Sequence, residues 1–168
     1  MALIRVRVRG IMMDERSKSP IVILQEDEGD RILPIWIGEA EARSIGIVLA
    51  GESLERPLTH DLIVILLKSL KARVVSITIT SLKENTFFAE IHLECDGQQI
   101  LVDARPSDSI AIALRAEAAI LVDEEVLTTG QATGWSAAPK EKSEKEKAAE
   151  LKKLLENMDP GDFGRFGI

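Results

Sequence analysis

The sequence predicts an α+β domain in which a duplicated β-β-β-α unit forms mixed or antiparallel sheets packed with helices, followed by a C-terminal helical tail. Three observations carry this. Ser44-Ile45-Gly46-Ile47-Val48-Leu49 lines up with Ser109-Ile110-Ala111-Ile112-Ala113-Leu114 at an offset of 65 residues, each opening a helical pattern soon after an apolar strand. The same offset lays Ile21-Val22-Ile23-Leu24 on Thr86-Phe87-Phe88-Ala89, and residues 8–13 on residues 73–78. A period this long with only two copies is not that of a solenoid. The two strand-to-helix corners, Ile37-Gly38-Glu39-Ala40-Glu41 and Val102-Asp103-Ala104-Arg105-Pro106-Ser107-Asp108, differ in chemistry and are the first places to seek a site.

Taken in order, Ala2, Ile4, Val6 and Val8 alternate with Leu3, Arg5, Arg7 and Arg9, a period-two strand with one apolar and one basic face. Residues 21–24 and 32–37 are apolar at every position, so both faces of these strands should be covered, with Trp36 in the core. A helix is expected over 39–50, stopped by Gly51. A second should start at Thr59 as N-cap and run to about Leu70; it is apolar nearly all round and should be central. Val75, Ile77 and Ile79, then Phe87, Ala89, Ile91 and Leu93, alternate with polar residues as two further strands, and Cys95 falls in phase with the buried set. Asp96-Gly97 marks a hairpin into the strand over 99–103. Pro106 suits the first turn of a third helix, and a short strand over 119–122 closes the domain.

This places a domain at 1–128, a linker rich in small and polar residues at 129–142, and a charged helical tail at 143–168 whose Leu151, Leu154 and Leu155 form a narrow apolar stripe. The tail reads either as a loosely docked helix or as a dimerising element. A homo-oligomer is expected, through that tail or the doubly apolar strands of the first repeat.

An apolar content of 45% supports a real core. No apolar run reaches the length of a membrane span, and Arg5, Arg7 and Arg9 interrupt what would be a secretory signal. One cysteine allows no intrachain disulfide and fits a reducing compartment, so the expected location is cytoplasmic with no membrane partner. Residues 1–128 hold 14 basic against 21 acidic side chains, and the rest of the chain is balanced. That distribution argues against tight nucleic-acid binding by charge alone, but not against a transient substrate. Motifs for nucleotide phosphates, zinc hydrolysis, paired-cysteine redox chemistry and serine hydrolysis are missing from the sequence.

Among residues able to carry chemistry, Asp103, Arg105 and Asp108 come first. Carboxylates at a strand end can hold a divalent cation, and an arginine beside them can clamp a phosphate. The competing reading is dipole stabilisation by Asp108 and a simple Asp103–Arg105 ion pair. His60, flanked by Thr59 and Asp61 at a helix start, could activate water; a solvent-exposed first-turn histidine is the alternative. Glu39 and Glu41 occupy the other corner, as metal ligands or as dipole-favoured acids. Arg5, Arg7 and Arg9, with Arg56, form the candidate phosphate patch, and His92 between Glu90 and Glu94 is expected to be solvated.

The succession Leu33-Pro34-Ile35-Trp36-Ile37-Gly38, Glu41-Ala42, Arg56-Pro57-Leu58-Thr59-His60-Asp61-Leu62 and Val102-Asp103-Ala104-Arg105-Pro106-Ser107-Asp108-Ser109-Ile110-Ala111 resembles the bifunctional nuclease domain family, long known only as a domain of unknown function. The resemblance spans roughly residues 1–127. It implies an α+β domain and nuclease activity on DNA and RNA, without a residue set to transfer. The chemistry of the matching positions suggests His60, Asp61, Asp103, Arg105 and Asp108 as catalytic, and Asp103, Asp108, Glu39 and Glu41 as ligands of Mg2+ or Mn2+. A non-catalytic regulatory or assembly domain is the alternative, and a small-ligand sensor in the crevice between repeats is a third.

Overall fold

The computed structural model describes residues 2–131, 148–149 and 151–153. The chain divides into two units, Met1–Ser136 and Ala137–Ile168. In the second, residues 148, 149 and 151–153 are helical, and Leu154, Leu155 and the rest of the expected tail lie outside the described residues.

The first unit runs β1 (Leu3–Met13), β2 (Pro20–Glu26), β3 (Ile32–Trp36), α1 (Glu39–Leu49), α2 (Thr59–Ser69), β4 (Ala72–Lys83), β5 (Thr86–Cys95), β6 (Gln98–Ala104), α3 (Pro106–Ala116), β7 (Ala119–Asp123) and α4 (Glu124–Gln131). The fold is α+β, with one seven-stranded mixed sheet in the order β3-β2-β1-β7-β4-β5-β6. Every strand pairing is antiparallel except β4 with β7. Each half is therefore a three-stranded meander followed by a helix. The 65-residue offset does not hold residue for residue, however: Ser44 is the sixth residue of α1, whereas Ser109 is the fourth of α3.

Period-two strands give the sheet an apolar face. Val22, Leu24, Leu33, Ile77, Ile79 and Val122 are fully buried in one cluster with Ile45 of α1, Ile110 of α3 and Leu127 of α4. Each such side chain contributes about 1.5–3 kcal/mol. Ile21 and Ile23, on the alternate positions of β2, are also buried, so the double coverage expected of this strand exists within the chain. Two-residue turns with left-handed residues, Glu84-Asn85 and Asp96-Gly97, close the β4–β5 and β5–β6 hairpins.

Four elements depart from expectation. Trp36 ends an edge strand and is 41% exposed, its indole N–H donating to Asp14 at 3.2 Å; Pro34, which has no N–H for a neighbouring strand, is the one sign in the run that β3 is an edge. Helix α2 is peripheral rather than central. Of its residues only Val64 is fully buried, while Leu62, Ile65 and Leu66 are about half exposed. Its N-cap is Leu58, whose N–H donates to Asp61 at 2.8 Å, and Thr59 is already helical. Cys95 is half-buried at the end of β5.

Helix α4, not expected from the sequence, occupies the first three positions of the segment read as linker. Asp123 starts it by accepting the Glu125 N–H at 2.9 Å, and Val126 and Leu127 bury its inner face. Thr128, Thr129 and Gly130 are poor helix formers, which hid it. Packing decides: Gly130 fits only because it has no Cβ, which would collide with the buried Leu33 side chain. Helix α3 packs against α1 and α2 and rests on β4 and β5, so the N-terminal ends of three helices share one side of the sheet. No helix among the described residues is long and apolar enough to cross a membrane.

Candidate active site

Each candidate acid or base that comes together sits in the first turn of a helix. Arg105 is the N-cap of α3, in extended conformation, and Pro106 fixes the first turn. The Arg105 carbonyl accepts both the Ser109 N–H, at 3.0 Å, and the Ser109 hydroxyl, at 2.9 Å, locking this corner. Asp108 follows three residues later. Gly38 caps α1, and the Glu41 carboxylate folds back over it into the space a Cβ would fill. His60 is the second residue of α2.

The four side chains form a chain of bonds across the three helices. Arg105 donates through Nε to Asp108 Oδ2 at 2.7 Å and through Nη2 to Glu41 Oε1 at 2.8 Å. Asp108 Oδ1 accepts from His60 Nε2 at 2.9 Å, and His60 Nδ1 lies 2.7 Å from the Ser44 hydroxyl. A carboxylate only accepts, so a neutral His60 carries its proton on Nε2, and Ser44 donates to Nδ1. The His60 side chain is 12% exposed and that of Arg105 65%, so the guanidinium is the part of the cluster most open to solvent.

Burial pushes the Asp108 carboxyl up, but the hydrogen bonds from Arg105 and His60 and their charges outweigh it, and its pKa is lowered. Asp108 first and Glu41 second raise the Arg105 guanidinium still further above its ordinary value. Beside the cluster, Arg115 at the end of α3 donates to Asp61 Oδ1 at 2.5 Å, to the Ala111 carbonyl at 3.0 Å and to the Ser44 carbonyl at 3.1 Å. Burial raises the Asp61 carboxyl, yet Arg115, the Leu58 N–H and His60 bring it below the usual range. Both aspartates thus hold protons less tightly folded than unfolded. Their stabilisation is complete above the unfolded carboxylate range, at about pH 4, and is lost as pH falls through it and below. Melting temperature measured against pH is expected to be flat from neutrality down to about pH 5 and to drop below about pH 4. The drop should be smaller in Asp108→Asn.

The structure therefore gathers His60, Arg105, Asp108 and Glu41, with Asp61 one ion pair away. It does not gather Asp103 or Glu39. Asp103 sits on β6 opposite Glu90, exposed, and Glu39 is exposed at the start of α1; no hydrogen bond or ion pair joins either to the cluster. Strand alternation explains Asp103: its neighbour Ala104 packs against the core, so Asp103 points to the other face of the sheet. Arg5 and Arg7 lie 3.4 and 3.8 Å from Asp27, and no ion pair links Arg5, Arg7, Arg9 or Arg56 to the cluster. His92 is 3.4 Å from the Thr78 hydroxyl and 3.9 Å from Glu90.

Two participants escaped sequence reasoning. Ser44 was visible only as the first residue of a repeated helical pattern, and Arg115 carried no signal because its partners are distant in sequence. A hollow of about 500 Å3 lined by Ala2, Asp123, Glu124, Glu125, Thr128 and Thr129 contains none of the candidate residues.

The expected divalent ion does not fit these residues. Among the described residues no three His, Cys, Asp or Glu side chains are grouped to hold one. The two carboxylates that do converge, Glu41 and Asp108, are bridged by the Arg105 guanidinium, which fills the cation position between them.

A family model described as the bifunctional nuclease domain matches residues 22–133. An uncharacterized protein of Mycobacterium tuberculosis is 39% identical over 165 residues, covering 94% of this chain and 96% of its own. Bifunctional nuclease 1 of Oryza sativa subsp. japonica is 25% identical over 118 residues, 68% of this chain but 36% of the rice protein. Bifunctional nuclease 2 of Arabidopsis thaliana is 27% identical over 109 residues, 63% of this chain and 33% of the plant protein. The matched span runs from β2 through α4 and takes in every residue of the three-helix cluster, and on that ground the chain belongs to the bifunctional nuclease domain family.

Proposed function

We propose that this protein hydrolyses phosphodiester bonds in nucleic acid, DNA and RNA alike, at the cluster built on Arg105, Asp108, His60 and Ser44. The observation that carries the proposal is the convergence of Arg105 and Asp108, His60, and Glu41 from three helix starts, with Ser44 behind His60 and an exposed guanidinium at the open end. Arg105 has committed Nε and Nη2 to carboxylates, and its remaining Nη is the donor for a non-bridging phosphate oxygen. As water attacks phosphorus, that donor meets the charge developing on the phosphorane. Both nitrogens of His60 are occupied, so the ring cannot take a proton from water directly. The Ser44 hydroxyl is buried and fixes the ring through Nδ1. His60 in turn orients the Asp108 carboxylate, which lies beside the exposed guanidinium and accepts the water proton on a remaining lone pair. The departing oxygen is protonated by solvent. An unpaired Cys95 suits the cytoplasm, where this reading places the protein.

His60→Gln is expected to lower cleavage of a labelled single-stranded oligonucleotide by about 100-fold, the typical contribution of general acid–base catalysis. Asp103→Ala, outside the cluster, should cleave within about twofold of wild type and so serves as the control for site specificity, while the loss in His60→Gln purified in the same way excludes a contaminating nuclease. Equal rates in wild type and His60→Gln would end the assignment. One observation favours a second reading, a non-catalytic assembly domain: Leu62, Ile65 and Leu66 leave an apolar stripe on α2 facing solvent. Purified wild type without cleavage, binding a partner through α2, would support that reading instead.

A further inference from the structure

The two edges of the sheet are built differently. At one edge, β3 carries Pro34, which has no N–H to offer, and Leu33, Pro34 and Ile35 are buried. At the other edge, β6 is seven residues long, Gln98-Gln99-Ile100-Leu101-Val102-Asp103-Ala104, and every residue but the half-buried Ala104 is exposed. It has no proline, no lysine and no register shift against β5, the devices that normally protect an edge strand. Its apolar centre is open, with Ile100 43%, Leu101 60% and Val102 39% exposed. An edge strand of this kind presents unused backbone donors and acceptors ready to extend the sheet.

We propose that β6 pairs with β6 of a second copy of this chain, antiparallel about a two-fold axis through Leu101, joining two seven-stranded sheets into one. The sequence of the strand selects the occupant and the register. With Leu101 opposite Leu101 of the second copy, Ile100 faces Val102 and Gln99 faces Asp103 on both sides of the axis, an apolar centre flanked by amide–carboxylate pairs. Moving the axis to Val102 sets Leu101 against Asp103; moving it to Ile100 sets Leu101 against Gln99. Only the Leu101-centred register keeps apolar residues opposite apolar ones, the pairing that stabilises neighbouring strands. It also keeps the sole charge of the strand away from itself, which matters for a chain of formal net charge −7. A two-fold arrangement of this type is closed, so it yields a dimer and not a fibre.

The test uses the charge at the axis. Sedimentation equilibrium of wild type is expected to give a dimer that dissociates on dilution. Leu101→Lys and Leu101→Glu, each placing like charges opposite one another, should each be monomeric with unchanged circular dichroism, and an equal mixture of the two should restore the dimer. Amide exchange of wild type supplies a check that needs no variant: the outward-facing amides of β6 should exchange more slowly as protein concentration rises. A wild type monomeric at every concentration, as when another segment of the same chain covers β6, overturns the proposal. So do charged variants that stay dimeric, a mixture that stays monomeric, or β6 amides indifferent to concentration.

Discussion

Replacing Arg115 by methionine is expected to lower the free energy of unfolding by about 3 kcal/mol, the lower end of the range for breaking a buried ion pair. The side chain is 6% exposed and Asp61 33%, which places the pair between the fully buried and the screened cases. Methionine fills much of the volume of the arginine stem, so the loss is chiefly electrostatic and not a cavity. The variant takes one donor from each of three acceptors: Asp61, the Ala111 carbonyl and the Ser44 carbonyl. Those three acceptors lie on α2, α3 and α1, so one guanidinium fastens all three helices. Urea denaturation followed by circular dichroism measures the change. Pairing Arg115→Met with Asp61→Asn should recover part of the loss, because the second change removes the charge that the first one orphans. A decrease below about 0.5 kcal/mol, the level of an ordinary surface substitution, would show that the pair holds nothing together.

Arg105→Lys should separate activity from stability in the opposite sense. The lysine keeps the positive charge but is a single point donor, and it cannot reach Asp108 and Glu41 while also presenting a hydrogen to phosphate. Oligonucleotide cleavage is expected to fall by about 100-fold or more, as for removal of one preorganised donor from a transition state. The melting temperature should change little, since the arginine is 65% exposed and its ion pairs are largely screened. Arg105→Ala should match Arg105→Lys in cleavage if geometry, and not charge alone, is what the site requires. A lysine variant as active as wild type would reduce Arg105 to a counter-ion.

Local pattern carried much of this architecture. Alternation in residues 87–93, the Asp96-Gly97 turn, Gly51 after α1 and Pro106 at the start of α3 all act within a few residues, and each was legible. Tertiary facts were not. A register shift at Val75 leaves that residue exposed and Ser76 and Thr78 buried, against the alternation expected over 75–79. Trp36 is exposed because β3 has no neighbour on one side, which no period-two pattern encodes. Leu62, Ile65 and Leu66 are apolar for a surface, not for a core, and composition cannot tell the two apart. In the site, His60, Arg105 and Asp108 could be nominated by residue type and helix position, but Ser44 and Arg115 work through partners 16 and 54 residues away. Asp103 looked equivalent to Asp108 in the sequence, yet strand and helix send the two carboxylates in different directions.

The place of β7 in the sheet has a consequence for how the chain folds. The first meander is complete by Trp36 and the second by Ala104, yet neither touches the other edge to edge; β7 lies between them, antiparallel to β1 and parallel to β4. On a ribosome both half-sheets have been made before the strand that sutures them emerges, and Leu3 waits for Asp123 across nearly the whole domain. Closure is accordingly the slow, non-local event. A chain halted before Ala119 holds two unsutured half-sheets whose inner edges, β1 and β4, are bare, and it is in that interval that the nascent protein is most exposed to aggregation.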